Sequence, residues 1–131
     1  MTYTWREHTA EIELVIDATS EEAVFADAAD AFARLVELDA GGAAVAHDVA
    51  VDAPDRAALL VAWLDELIYL ADVEGFVADR VEGLRLRAGG LDATLVGRRT
   101  TIDPLVKAAT YHRLVFGREE GRWHARVVLD V

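Results

Sequence analysis

Four side chains that could take part in chemistry lie within six residues of one another near the C-terminal end: Lys107, Thr110, Tyr111 and His112. They place an ammonium, a hydroxyl, a phenol and an imidazole just before the apolar run of residues 114–116, which is typical of a strand. Two interpretations stay open: a functional cluster set against the core, or a short polar turn that leads into an edge strand.

Two carboxylates near the chain ends form a second candidate. Glu11 begins the first predicted strand and Asp130 ends the last one. If these strands are antiparallel neighbours, the two carboxylates meet at one edge of the sheet. Carboxylates together with main-chain oxygens, which Val131 could provide, make a hard-cation site for Ca²⁺ or Mg²⁺. The alternative is that both are ordinary acids at strand ends.

The histidines and the single serine give little support for other chemistry. None of the four histidines has the spacing of a zinc motif, so a zinc enzyme is weakly supported. His8 and His112 are the better candidates because each adjoins a segment already singled out. Ser20 lies outside any nucleophile motif, and no phosphate-binding loop is present. We therefore expect an accessory protein rather than an enzyme, and no nucleotide binding by the chain alone.

The elements that must position these residues follow from periodicity and capping signals. Thr19 and Glu22 predict a capping box at the start of the first helix, and Pro54 stands at the entrance of the second. Asp65, Glu66 and Asp72 lie off the apolar stripe of the second helix and are predicted to be solvated. The predicted order is strand 11–17, helix 20–36, strand 45–51, helix 56–73, and hairpins over 81–97 and 113–129.

This order predicts an α+β domain spanning residues 1–131. We expect a largely antiparallel or mixed sheet that is covered on one face by two helices. The chain of 131 residues is 53% apolar, so it can bury a sizeable core, and it has no cysteine for disulfides or thiolate sites. It shows neither a targeting signal nor an apolar run long enough for a membrane span, which favours a cytoplasmic protein.

The net charge of −11 argues against broad contact with a nucleic-acid backbone, because such binding depends on Lys and Arg. A large negative charge is compatible with a basic protein partner. Charge alone does not identify that partner.

Four segments together resemble the archease family. Residues 8–12 resemble its His-Thr-Ala-Asp-Ile opening, and residues 106–112 resemble its Ile-Lys-Ala-Val-Thr-Tyr-His motif. Residues 59–70 are similar to its Leu-Leu-x-x-Trp-Leu-Asn-Glu-Leu-Leu-Tyr-Leu helix, and residues 129–131 resemble its Asp-Ile ending. Their order and spacing match over essentially the whole chain, so the resemblance implies an archease-like fold.

The resemblance also implies a function. Archeases activate the RtcB-type RNA ligase, which uses GTP and Mn²⁺ in tRNA splicing and RNA repair, by promoting its guanylylation and repeated turnover. Carried over by position, Glu11, Asp130 and Val131 would hold a divalent cation (Ca²⁺, or Mg²⁺ or Mn²⁺). Lys107 would contact the ligase or the phosphates at its active site, with His8 and His112 nearby. RNA would be met only through the ligase.

Two positions depart from the family pattern. Glu11 replaces an aspartate, which lengthens the side chain by one methylene, and Arg98 stands where the family usually has a glutamate. Both changes weaken the expectation of metal binding and leave partner activation less affected. Two alternatives stay open: a metal-dependent hydrolase built on Glu11, Asp130 and a histidine, and a chaperone-like binding module.

Overall fold

A computed structural model describes residues 2–8, 11–36, 43–99 and 106–131 of the chain. Most of the predicted loop at 40–43 and of the connection at 101–107 lies outside the described residues. The elements in chain order are β1 (Thr2–His8), β2 (Glu11–Ala18), α1 (Glu21–Leu35), β3 (Ala44–Asp52), α2 (Arg56–Val73), β4 (Phe76–Arg87), β5 (Gly90–Arg99), β6 (Ala108–Glu119) and β7 (Arg122–Asp130).

The α+β class, the antiparallel strands and the two helices are confirmed, but the predicted single sheet is divided in two. A four-stranded sheet has the order β1-β2-β7-β6, and a three-stranded sheet has the order β3-β5-β4. The division arises because each C-terminal hairpin pairs with a different earlier strand: β5 lies beside β3, and β7 lies beside β2. The helices contact both sheets, α1 through β2 and β4 and α2 through β6, β4 and β3.

The N-cap of helix α1 lies one residue later than predicted. Ser20, with φ of −141° and ψ of 160°, is the N-cap, and its Oγ accepts a hydrogen bond from the Ala23 N–H at 3.1 Å. The predicted capping box at Thr19 and Glu22 was therefore wrong, because Glu22 is the second helical residue and the third is Ala23. Apolar residues at three- and four-residue steps between positions 23 and 35 predict one buried stripe for this helix, and its members Val24 and Phe25 are fully buried.

Helix α2 has the bounds that periodicity predicted. Asp55, directly after Pro54, is its N-cap and accepts from the Ala58 N–H at 2.8 Å. Trp63 is fully buried, and its indole Nε1 donates to the Phe25 carbonyl at 2.9 Å. This bond joins the two helices and gives the buried Trp63 N–H a hydrogen-bond acceptor. Neither described helix is long and apolar enough to cross a membrane.

Strand β1 was absent from the prediction. Its residues alternate, with Tyr3 and Trp5 packed against the core between the exposed Thr2, Thr4 and Arg6. This alternation was visible in the sequence and was missed because residues 1–7 were considered only for a targeting signal. β1 forms an edge of the four-stranded sheet, where it pairs with β2.

Candidate functional site

One row of residues runs across the end of the four-stranded sheet. In the strand registers, His8 of β1 is opposite Glu11 of β2, Glu11 is opposite Asp130 of β7, and Asp130 is opposite Ala108 of β6. We call these four residues the terminal row. The predicted meeting of Glu11 and Asp130 at one sheet end is thus confirmed as a register.

Lys107 stands beside this row. Its backbone N–H donates to the Asp130 carbonyl at 2.8 Å, so the position of its main chain is fixed by the last strand. The side chain is exposed, and it is the only lysine in the sequence. Asp130 is exposed as well, whereas Val131 is partly buried. An ammonium and two carboxylates are therefore borne by three strand ends that lie together.

The two candidate histidines lie on different strands, His8 on β1 and His112 on β6. His8 belongs to the terminal row through its backbone, and its side chain lies outside the described part of the chain. His112 is exposed and lies in an irregular part of β6. Of the remaining two, His47 stacks on Phe76 in the three-stranded sheet, with ring centroids 5.6 Å apart, and is remote in sequence and sheet from the row.

The irregular part of β6 is a bulge between Thr110 and Val115. Thr110 is opposite Val128 and Val115 is opposite Arg126, so four residues of β6 (111–114) stand where β7 has only Val127. The Thr110 hydroxyl donates to the Val128 carbonyl at 3.0 Å and accepts from the His112 N–H at 3.3 Å. Tyr111 is left 66% exposed at the start of the bulge. The polar cluster of the sequence is thus a bulge within a strand, rather than a turn that precedes one.

Arg113 directs the bulge back onto the sheet. Its backbone has φ of 53°, in the left-handed region that is uncommon for residues other than glycine. Its guanidinium donates to the Glu11 Oε1 at 3.1 Å and lies 3.8 Å from the Glu13 Oε2. Sequence reasoning missed Arg113, although it follows directly after the motif that ends at His112.

Glu13 is buried among arginines. Glu13 is only 3% exposed, although alternation along β2 places its side chain on the same polar face of the sheet as that of Glu11. Three guanidinium groups approach its carboxylate, at 3.6 Å from Arg126, 3.8 Å from Arg113 and 3.9 Å from Arg6. The sequence signal for Glu13 was its polar position in an alternating strand, which does not reveal that neighbouring strands would cover it.

Asp65 is exposed, as predicted, and it also makes a contact that was not predicted. Its partly shielded Oδ1 accepts from the Ala109 N–H at 2.8 Å and so links α2 to the start of β6. Burial raises the pKa of Asp65, and the Ala109 N–H acts in the opposite direction by stabilising the carboxylate. This contact holds the segment that follows Lys107 against the helix.

The described residues do not fit a divalent-cation site as the resemblance implies it. The Glu11 carboxylate is already paired with the Arg113 guanidinium, whose positive charge would repel a metal ion placed on the same oxygens. Within the described ranges, no three His, Cys, Asp or Glu side chains form a group that could hold a metal ion. Ca²⁺ requires six to eight oxygen ligands. Metal binding by Glu11, Asp130 and Val131 therefore stays a prediction with which this side-chain arrangement disagrees.

Comparison with known proteins identifies the family. The model of the archease protein family (MTH1598/TM1083) matches residues 3–131. The chain belongs to the archease family. The protein archease of Methanosarcina mazei is 32% identical over 139 residues, covering 98% of this chain and 95% of the relative. The archease of Thermococcus gammatolerans is 34% identical and covers 95% of each chain.

Two solved structures share the archease fold. The solution structure of Methanobacterium thermoautotrophicum protein 1598 superposes with a TM-score of 0.66 at 24% identity, covering 98% of both chains. The crystal structure of an archease from Thermotoga maritima, described as a possible chaperone, gives a TM-score of 0.69 at 20% identity and covers 96% of this chain and 94% of its own. The expected archease-like fold is therefore confirmed.

Proposed function

We propose that this archease-family chain is a protein activator of an RtcB-type RNA ligase. It promotes guanylylation of the ligase and its repeated turnover in tRNA splicing and RNA repair, and it meets RNA only through the ligase. The observation that carries the proposal is the terminal row, because it brings the three motif segments at residues 8–12, 106–112 and 129–131 to one end of one sheet.

Lys107 and Asp130 are the contacts we assign to the partner. Both side chains are exposed at the sheet end, and the bond from the Lys107 N–H to the Asp130 carbonyl keeps their backbones in register. The Lys107 ammonium binds an acidic group of the ligase or a phosphate at its active site, and the Asp130 carboxylate accepts hydrogen bonds from the ligase. The net charge of −11 favours a basic docking surface and raises the association rate.

The test is guanylylation of the cognate ligase with GTP and Mn²⁺, with this protein at substoichiometric amounts. The wild-type chain is expected to accelerate guanylylation over many turnovers. Lys107→Ala and Asp130→Asn should each reduce the acceleration about tenfold or more, the value of one charge-assisted hydrogen bond. Arg118→Ala, an exposed cation near the other end of β6, is the matched control and should retain full activation.

Each variant must show an unchanged cooperative thermal transition, because a structural residue would lose activation by unfolding. Absence of acceleration by the folded wild-type chain with a competent ligase would contradict the proposal. Turnover of a phosphate ester by the chain alone would instead indicate the metal-dependent hydrolase.

A chaperone-like binding module is a second candidate. Four large apolar side chains are exposed among the described residues: Tyr69, Val73, Tyr111 and Val115. The Thermotoga relative is itself described as a possible chaperone. Suppression of the aggregation of unrelated proteins, unaffected by Lys107→Ala, would favour this function over ligase activation.

A further inference from the structure

The guanidinium of Arg113 lies where a cation would be needed beside Glu11. It donates to Glu11 at 3.1 Å and lies 3.8 Å from Glu13, and these two carboxylates belong to the same face of β2. Glu11 and Arg113 are both partly shielded, with side chains 27% and 43% exposed. Among the described ion pairs, Arg113 is the one partner of Glu11, whereas Glu13 also has Arg6 and Arg126.

The backbone conformation of the bulge also supports this position of the Arg113 guanidinium. Arg113 adopts φ of 53°. This conformation is unfavourable for any residue other than glycine, so contacts with the surrounding structure must stabilise it. The contacts available are the two carboxylates on β2 and the Thr110 hydrogen bonds at the start of the bulge. The strained residue and the ion pair thus depend on one another.

We infer that Arg113 is a built-in cation of this sheet end, which pairs with Glu11, lies against Glu13 and competes with divalent cations for the Glu11 oxygens. A guanidinium attached to the same chain has a high effective concentration at the carboxylate, so a free ion must displace it. A divalent ion that entered without displacing it would meet a like charge at short range. This inference does not rest on the proposed function.

The competition links cation binding to the shape of the bulge. Arg113 follows Tyr111 and His112 directly in the chain, so a cation that took Glu11 would release the contact holding that segment on the sheet. A sheet end neutralised from within presents Lys107 and Asp130 without requiring an added ion. The physical signature is weak cation binding by the wild-type chain that becomes stronger when Arg113 is removed.

The test is calorimetric titration of the isolated protein with Ca²⁺ alone. Arg113→Gln should bind Ca²⁺ about tenfold or more tightly than wild type, because the competing intramolecular cation is gone. Arg122→Gln is the matched control: its Nε lies 2.7 Å from the Asp17 Oδ1 on the same sheet, and its Ca²⁺ affinity should equal that of wild type. Adding Glu11→Gln to Arg113→Gln should abolish the gain.

Arg113→Gly is a second variant for the case in which Arg113→Gln fails to fold. Glycine accepts the positive φ without steric cost, so this change removes the guanidinium while suiting the backbone. It should show the same gain in Ca²⁺ affinity. The inference is overturned if a folded variant lacking the guanidinium binds Ca²⁺ no more tightly than wild type. Equal gains in Arg122→Gln would overturn it too, by attributing the effect to net charge.

Discussion

Glu13 and Asp27 are both buried carboxylates, and their surroundings are opposite. Glu13 is 3% exposed and Asp27 is 0% exposed. Glu13 has three arginine side chains within 4 Å. Neither carboxylate oxygen of Asp27 has a hydrogen-bond partner among the described residues. Burial of Asp27, together with the negative charge of Asp30, raises the pKa of Asp27 to about 6.

The difference arises from what each element can bring near a carboxylate. Glu13 lies on a central strand, so β1, β7 and the β6 bulge can each place an arginine against it. Asp27 lies on the packed side of α1, where the neighbouring buried residues are apolar. On the same helix, Arg34 donates to Asp30 at 3.1 Å. Burial of an acid is therefore tolerated here in two ways, by compensation on the sheet and by a raised pKa in the helix.

The largest effect should come from removing the charge of Glu13. Glu13→Gln leaves three guanidinium groups close together with only the Glu11 carboxylate, on Arg113, to offset them, and it leaves the buried Arg126 Nε without its counter-charge. Breaking a fully buried ion pair by removing one partner typically costs about 3 kcal/mol or more of the free energy of unfolding. Because the three arginine side chains are 42–61% exposed, solvent screens the charges left behind and we expect a loss of roughly 2–3 kcal/mol. Urea denaturation at pH 7 measures this loss.

Asp17→Asn is the matched control for Glu13→Gln. Asp17 lies on the same strand and pairs with Arg122 at 2.7 Å, but its side chain is 42% exposed. Exposed ion pairs typically contribute less than about 1 kcal/mol. Losses of similar size in the two variants would show that burial adds nothing to the Glu13 network.

Asp27→Asn should stabilise the fold, whereas Glu13→Gln should destabilise it. Because the folded-state pKa of about 6 lies above the ordinary value of 3.8, the folded chain binds a proton more readily than the unfolded chain between these values. The charged form therefore destabilises the fold above pH 6, and stability is regained as the pH falls through about 6 towards 4. We expect Asp27→Asn to raise the free energy of unfolding by about 2 kcal/mol at pH 8.

The pH dependence separates this explanation from a simple change in packing. The advantage of Asp27→Asn over wild type should shrink between pH 8 and pH 5, while the other carboxylates affect both proteins alike and cancel in the difference. Parallel denaturation series at several pH values measure it. A difference that is constant with pH would show that Asp27 does not titrate in this range.

Most features of the fold that depend on residues close together in the sequence were predicted correctly, and most features that depend on distant segments were not. The bounds of α2 follow from a stripe of apolar residues and an entrance proline within one segment, and they were correct. The meeting of Glu11 and Asp130 was predicted only on the condition that their strands are antiparallel neighbours, and the structure supplies that pairing. The division into two sheets could not be predicted in this way, because it depends on which distant strand each hairpin chooses.

The network around Glu13 was beyond prediction for the same reason. Arg113 reaches β2 only through a bulge whose register is set by β7, and Arg6 belongs to a strand that was not predicted at all. Asp27 was hidden inside an otherwise correct apolar stripe. A polar residue within such a stripe was the available signal, and it could have marked Asp27 as a buried acid.

Asp65 is intermediate between Glu13, which has three arginine partners, and Asp27, which has no hydrogen-bond partner among the described residues. Its substitution should have the smallest of the expected effects on stability. It has one described donor, the Ala109 N–H at 2.8 Å, and its pKa is raised by burial despite that donor. Asp65→Ala removes the acceptor and should lower the free energy of unfolding by about 1 kcal/mol, the usual net value of one hydrogen bond. Asp65→Asn keeps an acceptor oxygen and should lose less than half as much. Equal losses in both variants would mean that the charge of Asp65, and not the hydrogen bond, joins α2 to β6.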